Sequence, residues 1–379
     1  VRIGVDASRA AYAVRTGTEN YSLELVRALR TLLQQEHGDD RLVLYTGRRL
    51  PPDLRPGDGC EVRQMAFPRL WTHVRLSLEM AVSCPDVLFV PGHVIPVVHP
   101  RASVATIHDV GHLYYPEAYP AGQLRYLTWA TQHNLRCAAH LMVDSEATKQ
   151  DLTERFAVEP ERMTVAYPGV SPQYFEPVSL AAMNAVRQKY QLNGPYVLYV
   201  GTLQPRKNVE RLVAAFAEAK RAAGFPERLV LAGRMGWLPE GILRALQEAG
   251  QQVTLAGYVP DEDLPGLYAG ATAMVLPSLF EGFGMPLAEA MAVGTAVIGS
   301  TASSLPEVVG DAGLLVDPAS TQELTDALIW VCTHPAERAV LAARGREQAA
   351  RFSWEPAARA TLNVLRQVGE REHGLALRW

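Results

Sequence analysis

Short runs of β-branched and aliphatic residues alternate with helical patterns along the whole chain, and this alternation limits the fold more than any other feature. In the first half the runs are RIGVD (2–6), LVLYT (42–46), VLFV (87–90), SVATI (103–107), LMVD (141–144) and TVAY (164–167). In the second half they are YVLYV (196–200), RLVLA (228–232), VTLAG (253–257), AMVLP (273–277), TAVIG (295–299) and GLLV (313–316). Strands that are apolar on both faces and separated by helices pack as parallel sheets covered on both sides. The class is therefore α/β. A helix is expected from about Asn20 to Gln34, with Leu25, Val26, Leu29, Leu32 and Leu33 on one side and Asn20 as its cap.

A chain of 379 residues suits two such domains. The stretch YPGVSPQYFEP (167–177) holds three prolines and a glycine, and LNGP (192–195) precedes a fresh strand. We therefore expect one domain over 1–170, a connector over 171–194 carrying a helical piece, a second domain over 195–350, and a helical segment over 351–379. There is no internal repeat and no low-complexity tract.

Composition excludes several functions. The net charge is −4, so no basic field points to nucleic acid. The four cysteines are scattered without a C-x-x-C pair, which predicts reduced thiols and neither a disulfide frame nor a zinc site. No apolar run approaches the roughly 18 residues of a membrane span. The chain opens on a strand and not on a charged-then-apolar leader, which predicts a soluble, cytoplasmic protein. The dinucleotide fingerprint, the P-loop, the G-x-S-x-G elbow and the H-E-x-x-H zinc pair are all missing.

Open parallel sheets bind ligands beyond the carboxyl ends of their strands, so the chemistry is sought in loops that follow strands. If two such edges face each other, the site is a cleft between domains. After strand 273–277 comes SLFEGFGMPLAEAMA, with Glu281 and Glu289 flanking a Gly-Phe-Gly turn. Pro286 suits the first turn of a helix. The amides of Met285, Leu287 and Ala288, with the positive end of the helix dipole, are then expected to form an anion site. Gly282 and Gly284 let the backbone approach a ligand. Glu289, one turn into the helix, can accept paired hydroxyls such as those of a ribose, while Glu281 lies on the other side of the bound group. The stretch thus outlines a nucleotide sugar.

Three further loops follow strands. GTLQPRKN (201–208) begins at Gly201 and carries Arg206 and Lys207, a pair able to clamp a diphosphate or to stand as a solvated basic pair. TIHDVGHLYYP (106–116) puts His108 and Asp109 at a strand end, either facing substrate or as a structural pair. SRAAYAVRTGTENYS (8–22) contains Gly17, in a flexible glycine loop or in a long connection.

These residues resemble the group 1 glycosyltransferases, also called family 4. The resemblance is dense over GTLQPRKN, LAGRMGW, GYVPDEDLPGLYAGATAMVLPSLFEGFGMPLAEAMAVGTAVIGS and SSLPEVVGDAGLLVDP, and looser over IGVDASR, GTENYSLELVRAL, TIHDV and DSEATKQDL. It implies a GT-B fold, with two Rossmann-like doubly wound domains facing a central cleft. It also implies a metal-independent, retaining hexosyltransferase that needs no cofactor beyond its nucleotide-sugar donor. Carried onto this chain, Glu289 binds the ribose and Glu281 the donor sugar, with the backbone of Phe283 and Gly284 also on sugar hydroxyls. Arg206 and Lys207 neutralise the leaving diphosphate, and His108 contacts the sugar near the reacting carbon. Gly17 belongs to the loop near the phosphates and acceptor, while Tyr258 and Val259 line the base pocket. The family usually has Gly-Gly or Gly-x-Gly in that first loop; here only Gly17 is in place.

The pattern is closest to mannosyltransferases that use GDP-mannose, acting on a glycan or lipid-linked saccharide acceptor in polysaccharide or glycoconjugate biosynthesis. UDP-glucose-type transfer and a non-catalytic nucleotide-sugar-binding subunit are the alternatives. The segment FPRLWTHVRLSLEM (67–80) sets Phe67, Leu70, Trp71, Val74, Leu76 and Leu78 among Arg69, His73 and Arg75. It is a candidate for peripheral membrane contact, or a core-facing helix.

Overall fold

The computed structural model describes residues 1–57, 59–92 and 94–372. Among them thirteen strands form two parallel sheets. The first sheet contains β1 (Arg2–Asp6), β2 (Arg41–Thr46), β3 (Cys60–Gln64), β4 (Val87–Val90), β5 (Ser103–Ile107), β6 (His140–Val143) and β7 (Met163–Val165), in the order β3-β2-β1-β4-β5-β6-β7. The second contains β8 (Tyr196–Val200), β9 (Arg228–Ala232), β10 (Val253–Gly257), β11 (Ala273–Leu276), β12 (Val297–Ser300) and β13 (Leu314–Val316), in the order β10-β9-β8-β11-β12-β13. Central strands are buried along their whole length, as in Val87–Val90 and Ala273–Leu276, because helices cover both faces.

Twelve strands were legible as apolar runs. The thirteenth, β3, reads CEVRQ and lies at the edge of its sheet beside β2. An edge strand with one wet face carries charge at alternate positions and shows no apolar run.

The chain forms two compact units. The first takes Val1–Val110, Arg125–Gly169 and the chain from Ser353; the second takes Gly111–Leu124 and Val170–Phe352. This differs from the linear division of the sequence in three places. The 171–194 stretch, expected as a connector, clusters with the second unit: Arg187 donates to the Gly270 carbonyl at 3.0 Å. Residues 111–124 also belong there, with Tyr114 stacked on Phe280 at 5.0 Å and Trp237 donating to the Ala118 carbonyl at 2.6 Å. The final helix Trp354–Glu372 returns to the first unit, where it buries Trp354, Ala358, Leu362 and Leu365. Its Arg366 reaches Glu36 at 2.6 Å and Asp40 at 2.7 Å. Burying each such leucine contributes about 1.5–3 kcal/mol.

The first helix is Gly17–Glu36. Its N-cap is Thr16, not Asn20. Thr16 and Glu19 form a capping box, in which the Thr16 amide donates to Glu19 at 3.1 Å. Gly17 is therefore the first residue of a capped helix and not part of a free glycine loop. A Cβ at this position would meet nothing within 4 Å.

Candidate active site

In the second sheet the strand order reverses between β8 and β11, so the loops leaving their carboxyl ends run side by side. Hydrogen bonds join these loops. The Leu279 amide donates to the Arg206 carbonyl at 2.9 Å, Asn208 Nδ2 donates to the Pro277 carbonyl at 3.0 Å, and the Arg206 guanidinium donates to the Phe280 carbonyl. Asn208 also donates to the Pro318 carbonyl at 2.8 Å. It sits in the left-handed region (φ 59°) at the start of the helix Val209–Ala223, a conformation Asn tolerates better than most residues.

This stitching brings Arg206, Lys207 and Glu281 together. Lys207 Nζ lies 2.5 and 2.6 Å from the two Glu281 oxygens, and Arg206 lies 3.7 Å from Oε2. Ser278 Oγ donates to Oε1 at 2.6 Å. The Glu281 side chain keeps only 8% exposure, and Lys207 15%. Charges this deep persist because they are paired; removing one partner costs about 3–5 kcal/mol. The Glu281 carbonyl accepts from Ser303 and Ser304 in the loop after β12. The net charge of the trio is +1, a suitable partner for an anion.

Glu289 lies inside the helix Met285–Val293 and is 7% exposed. Burial pushes its pKa up to about 7, against hydrogen bonding from Tyr268 and with Asp261 adding to the rise. Tyr268 Oη donates to Oε2 at 2.9 Å. Tyr268 and Tyr174 meet edge-on at 6.1 Å, so an aromatic wall backs the carboxyl group.

The helix start differs from expectation. The Leu287 and Ala288 amides donate to the Gly284 carbonyl at 2.9 and 3.4 Å, so neither is available to an anion. Of the three amides expected there, Met285 is the one that can serve. Gly284 is required: its φ is 103°, and a Cβ there would lie 2.4 Å from Leu305 Cδ2. Phe283 is buried, edge-on to Phe352 at 5.2 Å, and its carbonyl accepts from Ser304 at 3.1 Å. Gly282 is buried between Glu281 and Phe283.

The loops after β8, β9 and β10 continue the sheet pairing. The Gly201 amide donates to Ala232 at 2.9 Å and the Gly233 amide to Gly257 at 2.7 Å. A Cβ on Gly233 would lie 1.9 Å from the Gly201 carbonyl oxygen, so the loops approach this closely only because residue 233 is glycine. Next to them the Arg234 guanidinium stacks 4.8 Å from the Tyr258 ring centroid, while Val259 is buried.

His108 and Gly17 belong to the first unit. His108 follows β5 and Asp144 follows the adjacent β6, which brings Nδ1 to 2.6 Å from Asp144 Oδ2. Burial pulls the His108 pKa down, but the Asp144 carboxylate outweighs it and the net shift is upward. Tyr21 holds the ring edge-on at 4.7 Å, and Nε2 has no hydrogen-bond partner. The imidazole is thus fixed through Nδ1, with Nε2 buried and the Pro91 backbone adding to the upward shift. Asp144 was not singled out in the sequence; only its place at the end of an adjacent strand reveals it.

The 67–80 segment forms a π-helical turn, Thr72–Leu76, and a short helix, Ser77–Val82. Leu76 is fully buried, and Trp71 donates to the Met65 carbonyl at 2.7 Å. Arg75 pairs with Glu79 at 3.1 Å. Phe67, Leu70, Val74 and Leu78 remain exposed, and Val82 joins them. Among the described residues no helix is long and apolar enough to cross a membrane, and no group of three or more His, Cys, Asp or Glu is placed to hold a metal ion.

Comparison with known proteins agrees with this geometry. The family described as Glycosyl transferases group 1 matches residues 183–348, and Glycosyltransferase Family 4 matches 15–174. O-antigen chain mannosyltransferase B of Escherichia coli is 36% identical over 266 residues, covering 69% of each chain. The chain belongs to the family 4, group 1 glycosyltransferases. It is an enzyme that transfers sugars, of the kind found in bacterial mannosyltransferases. MMP alpha-(1->4)-mannosyltransferase of Mycolicibacterium hassiacum is 33% identical over 59% of this chain and 53% of its own length. Among solved structures, sucrose-phosphate synthase of Thermosynechococcus elongatus superposes with a TM-score of 0.75 at 23% identity, over 98% of this chain and 99% of its own. Two parallel-sheet α/β units with such neighbours are the GT-B fold of this glycosyltransferase.

Proposed function

We propose that this glycosyltransferase moves mannose from GDP-mannose to a glycan or lipid-linked saccharide acceptor, with retention and without a metal ion. The observation that carries the donor assignment is the Arg206–Lys207–Glu281 cluster beside the start of the helix that bears Glu289. Glu289, backed by Tyr268, takes the ribose hydroxyls. Glu281, held by Ser278 and Lys207, takes hydroxyls of the hexose. The name of the Escherichia coli relative supports mannose.

As the bond between the sugar and the diphosphate breaks, charge grows on the leaving phosphate. Arg206 and Lys207 stabilise that charge from a partly desolvated position, where it is worth most. In the retaining step the acceptor oxygen bonds to the anomeric carbon on the face the phosphate leaves. The acceptor's proton passes to the departing phosphate oxygen. His108 is assigned to the donor sugar near the reacting carbon.

Product analysis by proton NMR tests the reading. The purified enzyme is incubated with GDP-mannose or UDP-glucose, EDTA and mannosyl acceptors. An α-linked mannoside and GDP are expected. Transfer from UDP-glucose alone moves the assignment to a glucosyl donor, and a β-linked product overturns retention. Donor binding with no turnover for any acceptor makes the chain a binding subunit.

A further inference from the structure

The second unit holds a pocket of about 420 Å³ that the donor assignment does not use. Thr272 and Ala296, which line it, immediately precede β11 and β12. The pocket therefore lies at the amino ends of these strands, opposite the donor loops. Its other wall is the helix Pro335–Ala349, which contributes Arg338, Ala342 and Arg346. Their four-residue spacing sets a guanidinium, a methyl group and a guanidinium in line on one helical face. Eight residues of helix separate the two arginine Cα atoms by about 12 Å.

Neither arginine pairs with a carboxylate among the described residues. Arg338 donates to the Val331 carbonyl, and Arg346 to the Phe175 carbonyl at 3.1 Å. No Asp or Glu stands three or four residues from either one, the positions from which a helix neutralises its own arginines. The helices Leu264–Ala269 and Met285–Val293 end at the pocket, and their dipoles bring at most about half a negative charge each. Together they offset one guanidinium, so a positive excess remains. A guanidinium fork binds a phosphoryl group through paired N–H bonds, and Ala342 leaves the space between the two forks open.

The same pocket touches the supports of Glu289. Thr295, in its wall, donates to the Tyr268 carbonyl at 2.8 Å, and Tyr268 Oη donates to Glu289. Arg346 holds the Phe175 carbonyl, directly after the turn Pro172–Tyr174, and Tyr174 packs edge-on to Tyr268. A ligand that draws Arg346 inward releases that turn.

We propose that this pocket is a regulatory site for a small molecule with two phosphoryl groups, one on Arg338 and one on Arg346, whose binding loosens the hold of Tyr174 and Tyr268 on Glu289. The regulatory purpose rests on the donor reading of Glu289; the binding and its structural effect do not. Calorimetry at physiological ionic strength titrates fructose 1,6-bisphosphate and inorganic phosphate into the full chain. The bisphosphate is expected to bind at least about tenfold tighter. Arg338→Gln with Arg346→Gln should abolish this binding. Ala342→Glu, which sets a carboxylate between the two guanidinium groups, should abolish it too, with an unchanged or higher melting temperature. Hydrogen exchange without nucleotide should rise at the Tyr174 and Phe175 amides when the bisphosphate binds. GDP affinity should then fall about fivefold or more in wild type and stay constant in the arginine variant.

Binding that is absent from wild type, or that survives in either variant, overturns the pocket assignment. Equal affinity for the two probes overturns the two-phosphoryl ligand. Unchanged exchange at Tyr174 and Phe175, or a GDP affinity that holds or rises, overturns the regulation. No GDP binding by wild type, with the bisphosphate bound and exchange raised, would sink the donor reading and leave the pocket and its link to Tyr174 standing.

Discussion

Burial of Glu289 links the proposed ribose site to protonation. Its folded pKa of about 7 lies above the ordinary 4.5, so the folded chain holds a proton where the unfolded chain has lost it. Its contribution to stability is therefore greatest below pH 4.5 and declines as pH rises to about 7. At pH 8 the buried charge costs roughly 3 kcal/mol. Glu289→Gln keeps an acceptor for Tyr268 and carries no charge. It should raise the thermal midpoint at pH 8, leave it little changed at pH 4.5, and still lose ribose affinity. In the first unit, Asp144→Asn removes the charge that raises His108. Its imidazole should then titrate below the ordinary value, as followed by NMR of the ring protons, with turnover falling about tenfold or more. An unshifted titration would show that Asp144 does not govern the ring. At this scale the sequence displayed the charged partners of the second unit, because Glu281, Glu289, Arg206 and Lys207 sit in short loops after strands. Their supports stayed hidden. Ser278, Asn208 and Tyr268 are ordinary residues until the strand order places them beside those charges.

At the scale of elements, apolar runs displayed twelve strands, while charge on an open face concealed β3. Helix starts were less legible. Thr16 and Glu19 satisfy the capping-box spacing one turn before the apolar stripe begins, so the helix starts earlier than its hydrophobic pattern. The turn before Glu289 shows the same limit: Pro286 correctly signals a helix, but which amides remain available depends on how Gly284 closes the first turn. Gly284→Ala would need a left-handed alanine and a shift of Leu305. It should destabilise the second unit by about 1–3 kcal/mol and weaken nucleotide binding together. Urea denaturation with calorimetry reads both; a stable variant with full affinity would show that the turn can adapt.

For the whole molecule, a linear division into domains misses two returns of the chain. Residues 111–124 visit the second unit and the last helix comes back to the first. Neither return changes local composition, so no linker signal marks it. Leu362→Ala with Leu365→Ala, at fully buried positions of the last helix, should remove about 2–5 kcal/mol each. Hydrogen exchange is then expected to rise in β1 and β4 of the first unit while β8 and β11 keep their protection. Uniform loss of protection would mean that the two units unfold as one. The proposed donor site needs a nucleoside diphosphate held by the loops after β8 and β11. Calorimetric titration with GDP, UDP and ADP, with EDTA present, tests this on wild type and Glu289→Ala. One diphosphate, expected to be GDP, should bind in EDTA and lose at least about tenfold in affinity in the variant. No binding, binding that requires a divalent metal, or equal affinity for wild type and variant would contradict it.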